Sequence, residues 1–205
     1  CGDVNPSGKL GDTIPKSYDD YENGKIFQTG YEHLDYEDDI YVGYRYFETI
    51  PGAAEKVRYP FGFGLSYTNF DMSGYFCGES EGKIVAVVTV KNVGDVPGKE
   101  VVQLYVSAPN RFQMNKPEKE LKAFTKTKEL RPGETVTATL KLNTTDLASY
   151  DEASSSWVVD AGNYKFLIGT SSKDIKAVLD VDVVSVVEKT NDILKPQETV
   201  NTIKR

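Results

Sequence analysis

Histidine and cysteine are almost missing from this sequence. One histidine, His33, and two cysteines, Cys1 and Cys77, occur in 205 residues. His33 lies between Glu32 and Leu34 with no partner at ligand spacing, so no metal site is expected and His33 reads as a surface residue. Two cysteines make no disulfide framework, and both read as free. No run of about 18 apolar residues occurs, so no membrane-spanning helix is expected. A basic stretch followed by an apolar one is lacking at the N-terminus; no signal peptide is visible, which leaves the compartment open between cytoplasmic and secreted. Lys and Arg number 24 against 31 Asp and Glu, a net charge of −7. The clustered cations that phosphate binding needs are lacking, which excludes nucleic acid as a partner. Internal repeats and low-complexity tracts are absent, and long helical patterns are scarce.

What is present is β-rich. Ile84 to Val90 and Val101 to Val106 are nearly all β-branched or small and apolar. The turn between them, Asn92 to Gly98, holds two glycines and a proline. In the second run Val102, Leu104 and Val106 alternate with Gln103 and Tyr105, so one face is expected in the core and the other half wet. Strands are expected near Asn69–Cys77, Lys83–Val93, Gly98–Ala108, Glu120–Leu130, Glu134–Leu142, Ser156–Val159, Asn163–Thr170 and Lys176–Val186. Turn signals recur at Glu81-Gly82, at Arg131 to Glu134 and at Asp160 to Asn163. Short strands at this spacing predict an all-β antiparallel sandwich over residues 69–187.

The flanks differ. Residues 1–24 are loop-like, broken by Pro6, Gly8, Gly11 and Pro15, with too few apolar residues for a core, so they must lie on something else. Residues 25–69 are rich in tyrosine. Asp38 to Phe47 reads as a short strand or a helical turn. Arg58 to Tyr67 is a glycine-punctuated aromatic loop that either stacks on sugar rings or fastens this segment to the sandwich. Trp157, the single tryptophan, is read as a core or hairpin anchor, with a ligand platform as the alternative. Residues 188–205 leave the sandwich as a tail or linker, with a helix start at Pro196 and Val200 and Ile203 on one face.

Several motifs together resemble one family. They are Asn5 to Leu10 (NPSGKL), Val42 to Phe47 (VGYRYF) and Tyr59 to Phe70 (YPFGFGLSYTNF). Val90 to Gly94 (VKNVG), Gly98 to Val106 (GKEVVQLYV), Pro117 to Phe124 (PEKELKAF) and Leu130 to Glu134 (LRPGE) follow. Ser149 to Asp151, Trp157 to Val159, Gly162 to Tyr164 and Gly169 to Ser172 complete the order. The set is similar to the C-terminal part of glycoside hydrolase family 3, the β-glucosidase type, across about residues 1 to 185. Two departures stand out: Gly11-Asp12 where many members have a proline, and Asp38-Asp39 where many have Glu-Gly. The resemblance implies that residues 1–68 are the end of an α/β sandwich domain plus a connecting segment. Residues 69–187 would then be a fibronectin type III-like, immunoglobulin-like sandwich. Some members carry the barrel after the fibronectin-like domain, an arrangement that the tail beyond Glu188 fits.

Retaining glycoside hydrolysis needs two carboxylates about 5 Å apart. The resemblance places the nucleophile in a Ser-Asp-Trp-like motif on a (β/α)8 barrel, and no such motif occurs here. It places the acid/base in a Ser-Gly-Glu-Gly-like loop; the nearest string, Gly78 to Gly82, sits in an expected hairpin, so Glu79 and Glu81 read as solvated turn residues. Acid–base assistance alone supplies roughly 10²–10⁴-fold, so no turnover is expected from this chain. The implied role is a non-catalytic portion that buttresses the barrel and α/β sandwich domains of the same enzyme, with β-linked sugars near. No cofactor and no metal are implied. The candidates for substrate-proximal or interface contacts are Asn110, Arg111 and Phe112 in the loop from Pro109 to Pro117, with Tyr44, Arg45 and Tyr46. An independent carbohydrate-binding module and a fibronectin-like spacer are the alternatives. The first would want a flat aromatic row, the second tandem repeats.

Overall fold

The computed structural model describes residues 2–21, 24, 37–109, 115–191, 193 and 202–203. Cys1, His33, the residues Asn110 to Phe112 and the helix start at Pro196 lie outside the described residues.

The N-terminal third is irregular. Strand β1 (Ile14–Pro15) pairs with β2 (Val57–Tyr59). Between them runs helix α1 (Tyr44–Thr49), so the run from Asp38 to Phe47 resolves as a helical turn. Gly43, at φ +58°, starts it in a conformation that suits glycine. Pro51 ends it, because the residue before a proline is pushed out of the helical region; Ile50 is extended at φ −77°, ψ 129°.

The sandwich follows. Strands β3 (Phe70–Ser80), β4 (Lys83–Asn92), β5 (Val101–Ser107), β6 (Glu120–Lys126) and β7 (Thr135–Asn143) come first. Then come β8 (Ser149–Asp151), β9 (Ser156–Val159), β10 (Gly162–Gly169), β11 (Ile175–Val183) and β12 (Val186–Lys189). One sheet has the order β3-β4-β7, the facing one β11-β10-β5-β6, and a small sheet at the rim β12-β9-β8. The pairings are antiparallel.

Period-2 alternation builds the core. Ile84, Ala86, Val88 and Val90 of β4 point inward with Ala138, Leu140 and Leu142 of β7. They meet Val102, Leu104 and Val106 of β5 and Tyr164, Phe166 and Ile168 of β10 in one buried cluster. The β3–β4 hairpin closes through Glu81 and Gly82, both at positive φ (+53° and +74°), the geometry of a two-residue hairpin turn. Glu79 accepts the Gly82 amide at 2.8 Å, and Glu81 is a turn residue through its backbone.

Three departures from the expected pattern have physical causes. Gln103 and Tyr105 were expected half wet, yet they are 3 % and 0 % exposed. The N-terminal segment lies over that face. The strand expected to run on to Val186 stops at Val183, and β12 begins at Val186 to pair with β9. The last strand therefore ends at Lys189, two residues beyond the expected end of the sandwich. Strand β8, three residues long, carries no pattern of its own and exists through its pairing with β9.

Asn92 locks the turn after β4. It is fully buried. Its Nδ2 donates to the carbonyls of Val96 and Leu130, both at 2.8 Å. Its Oδ1 accepts the Thr68 hydroxyl at 2.6 Å and the Gly94 amide at 3.0 Å. All four hydrogen-bonding positions of the amide are filled. Asn92→Ala leaves the buried Thr68 hydroxyl without this acceptor, while the Leu130 carbonyl keeps the Gly98 amide at 3.0 Å. The expected loss is about 1–3 kcal/mol, the cost of one stranded group, read as a lower urea midpoint at unchanged slope.

Candidate functional site

The outer face of β5 is where the two parts of the chain meet, and of the described candidates Tyr44 packs on it. Helix α1 brings Tyr44, Arg45 and Glu48 against the sheet and the residues that lead into it. Tyr44 packs its ring on Phe61 (centroids 4.7 Å apart, 32° between planes) and edge-on to Tyr105 (5.9 Å, 79°). Its hydroxyl oxygen accepts the Leu121 amide at 2.7 Å. Burial pushes its phenol above the ordinary range, partly offset by that amide. Arg45 reaches Glu120 at 3.6 Å, a partly exposed pair worth little. Tyr46 stacks edge-on to Phe47, 5.2 Å between centroids.

Glu48 is the strongest contact of the junction, and the motif reading did not single it out. Its side chain is 7 % exposed. Oε2 takes Lys119 at 3.1 Å and Lys173 at 3.0 Å, and Oε1 accepts the Ser172 hydroxyl at 3.0 Å. One turn of helix separates Glu48 from Tyr44, which puts both on one face. That spacing was the available signal. Next to it, Thr49 Oγ1 accepts the Glu118 amide at 2.8 Å.

The aromatic loop completes the cover. The Ser172 amide donates to the Phe61 carbonyl at 2.9 Å. Gly62 sits at φ +81°, and a Cβ there would fall 2.6 Å from Gln103 Nε2 and 2.9 Å from Ser171 Cα, so this close approach requires glycine. Gln103 donates to the Thr170 carbonyl at 3.0 Å and accepts the Tyr105 hydroxyl. Phe61 therefore fastens the loop to the sandwich, whereas Leu65 and Tyr67 stay exposed.

Asn110, Arg111 and Phe112 lie outside the described residues, but the C-terminal base of their loop is tied down. The Tyr41 hydroxyl lies 2.8 Å from both the backbone carbonyl and the side-chain oxygen of Asn115, one of which takes its proton. Lys116 Nζ meets Asp160 Oδ2 at 2.7 Å with the Lys116 side chain 3 % exposed. The site is thus a packed polar seam that holds parts together. Among the described residues, no group of three His, Cys, Asp or Glu side chains is arranged to hold a metal ion, and no helix is long and apolar enough to cross a membrane.

Residues 100–172 match the family model of the fibronectin type III-like domain. β-Glucosidase A of Butyrivibrio fibrisolvens is 47% identical over 194 residues, which is 85% of this chain and 23% of that protein. The solved β-glucosidase of Paenibacillus barengoltzii superposes with a TM-score of 0.85 at 39% identity, covering 96% of this chain and 23% of that one. A solved glycoside hydrolase family 3 β-glucosidase of Bifidobacterium adolescentis gives a TM-score of 0.82 at 37% identity, over 97% of this chain and 28% of that one. The chain spans about a quarter of the length of these relatives.

Two outcomes follow from the seam. Glu48→Ala strands the Lys119 ammonium, whereas Lys173, 43 % exposed, turns to water; the expected cost is about 3 kcal/mol, the lower end for breaking one side of a buried pair. Glu48→Gln should cost less, because it keeps an oxygen for Ser172. A double-mutant cycle with Lys119→Met, read by urea unfolding, measures the coupling. The second outcome is alkaline. Burial pushes the Tyr164 phenol up to about 12 and raises that of Tyr105 further, whereas an unfolded tyrosine ionises near about 10. The folded state keeps protons that the unfolded state loses. Stability should be flat below about pH 10 and fall as pH rises through the folded values, in unfolding curves at stepped pH.

Proposed function

The chain belongs to glycoside hydrolase family 3, β-glucosidase type, as its C-terminal part, and on that premise we propose that it is the structural portion of such an enzyme. In this reading the sandwich holds the preceding segment, and through it the catalytic domains, in a fixed position. The observation that carries the reading is the seam on β5. A segment with no core of its own is held to the sheet by Glu48, Tyr44, Phe61 and Thr49, with buried ionic and hydrogen-bonded contacts. Such contacts fix geometry more than they add stability, since a buried pair gains little over well-packed apolar residues.

The parent enzyme, in this proposal, hydrolyses O-glycosyl bonds of β-linked sugars, and its barrel and α/β sandwich domains supply the nucleophile and the acid/base. Residues 1–68 close the α/β sandwich domain and connect it to the sandwich. We assign Asn110, Arg111 and Phe112 to the substrate entrance or to a neighbouring domain. A guanidinium beside an aromatic ring offers hydrogen-bond donors and a stacking face. The tie at Asn115 and Lys116 supports it, because a loop with an anchored base can present its tip reproducibly.

The test has two arms. The purified 205-residue chain should show no hydrolysis of an aryl β-glucoside above buffer. In the intact enzyme, Arg111→Ala with Phe112→Ala should raise KM several-fold at nearly unchanged kcat, the signature of lost uniform binding. Turnover by the chain alone, abolished by a single carboxylate change such as Glu79→Gln, would sink the structural reading.

A further inference from the structure

The small sheet at the rim carries a feature that the seam does not use. Its register aligns three side chains in one row on one face: Tyr150 opposite Trp157, and Trp157 opposite Glu188. Trp157 and Tyr150 meet edge-on, 5.3 Å between centroids at 65°. Trp157 remains 46 % exposed; it anchors the β8–β9 hairpin without entering the core. Beside it opens a groove of about 270 Å³. Its apolar side is Ala148 and Val186, both half-buried over the core residue Val159, and its polar side holds Asp146 and Glu188. Asp146 uses Oδ2 for the Asn143 amide at 2.7 Å. Among the described residues, its Oδ1, the Glu188 carboxylate and the Trp157 indole N–H have no hydrogen-bond or ion-pair partner.

We propose that this groove is a binding site for a single pyranose unit, stacked on Trp157 and held by Glu188 and Asp146. The chemistry is complementary on each side. An indole and an aliphatic side suit the C–H face of a sugar ring. Two carboxylates with free lone pairs are acceptors for its hydroxyl protons, and charged acceptors make the stronger hydrogen bonds. An alkylammonium ion would satisfy the carboxylates and lay its chain on Ala148 and Val186, but it would leave the Trp157 indole N–H without an acceptor, which a sugar hydroxyl provides. The site shares no residue with the seam on β5. The choice of a glucoside as ligand rests on the functional reading above; the groove itself does not.

Trp157 is the only tryptophan, so its fluorescence reports on this site alone. Titration of the 205-residue chain with methyl β-D-glucoside should give a saturable change in emission. Half-saturation should be on the order of millimolar, the range for a ligand of roughly a dozen heavy atoms. Glu188→Gln, which removes no described contact, should weaken binding about tenfold or more, as loss of a charged acceptor does, at an unchanged urea midpoint. Calorimetry provides a second readout. A linear, non-saturating response, or equal half-saturation in Glu188→Gln, overturns the site. Saturation by n-butylammonium with none by the glucoside overturns the ligand class. None of these results alters the hydrolysis outcome of the preceding test, so the two readings fail separately.

Discussion

The structure depends on burying both faces of strand β5. An antiparallel sheet in a sandwich commonly keeps one face in the core and one in water. Here the inner face of β5 carries Val102, Leu104 and Val106, and the outer face carries Gln103, Tyr105 and Ser107; all six are buried. Water is excluded from the outer face by Tyr44, Phe61 and Gly62. A glutamine and two hydroxyl-bearing side chains without solvent must find partners within the protein. Gln103 does so with Tyr105 and Thr170. The polar character of the seam is therefore a consequence of covering a strand whose outer residues are polar. The segment cannot cover it with apolar side chains alone.

Glu48 follows from the same constraint. Helix α1 is only six residues long, too short to hold its place by helical propensity. An ion pair in a partly dry site fixes orientation, because carboxylate and ammonium groups stranded by a shift of even one residue would be costly. Lys119 and Lys173 come from opposite sides of the sheet, one just before β6 and one just before β11. One carboxylate thus ties α1 to two strand entrances at once. Salt should weaken the Lys173 contact more than the Lys119 one, since Lys173 is 43 % exposed and Lys119 11 %.

The sandwich was legible because its signals are local. Alternation in β4 and β7, the Glu81-Gly82 turn and the order of the motifs each need only a short stretch of chain. What stayed hidden depended on pairs far apart in sequence. Gln103 reads as half wet until Phe61 and Gly62, some forty residues earlier in the chain, are laid over it. Glu48 carries no motif signal of its own, because its partners lie at 119, 172 and 173. Strand β12 is hidden because Lys176 to Val186 reads as one continuous strand, and only the pairing of Val186–Lys189 with β9 separates it. Trp157 was ambiguous for the same reason: a lone tryptophan in a strand says nothing about which face it takes.

Burial and chain order divide this protein differently. By motif, the sandwich starts near residue 69. By burial, the segment before it is a third layer: removing residues 37–68 would uncover Gln103 and Tyr105 and take the Thr68 hydroxyl from Asn92. Asn92 sits at the end of β4, in the sheet opposite β5, so the segment is tied to both sheets and not to one alone. A layer attached to two sheets resists sliding along either, because motion that keeps one set of contacts breaks the other. This is the geometry required of a part that transmits position from a sandwich to whatever is joined to it.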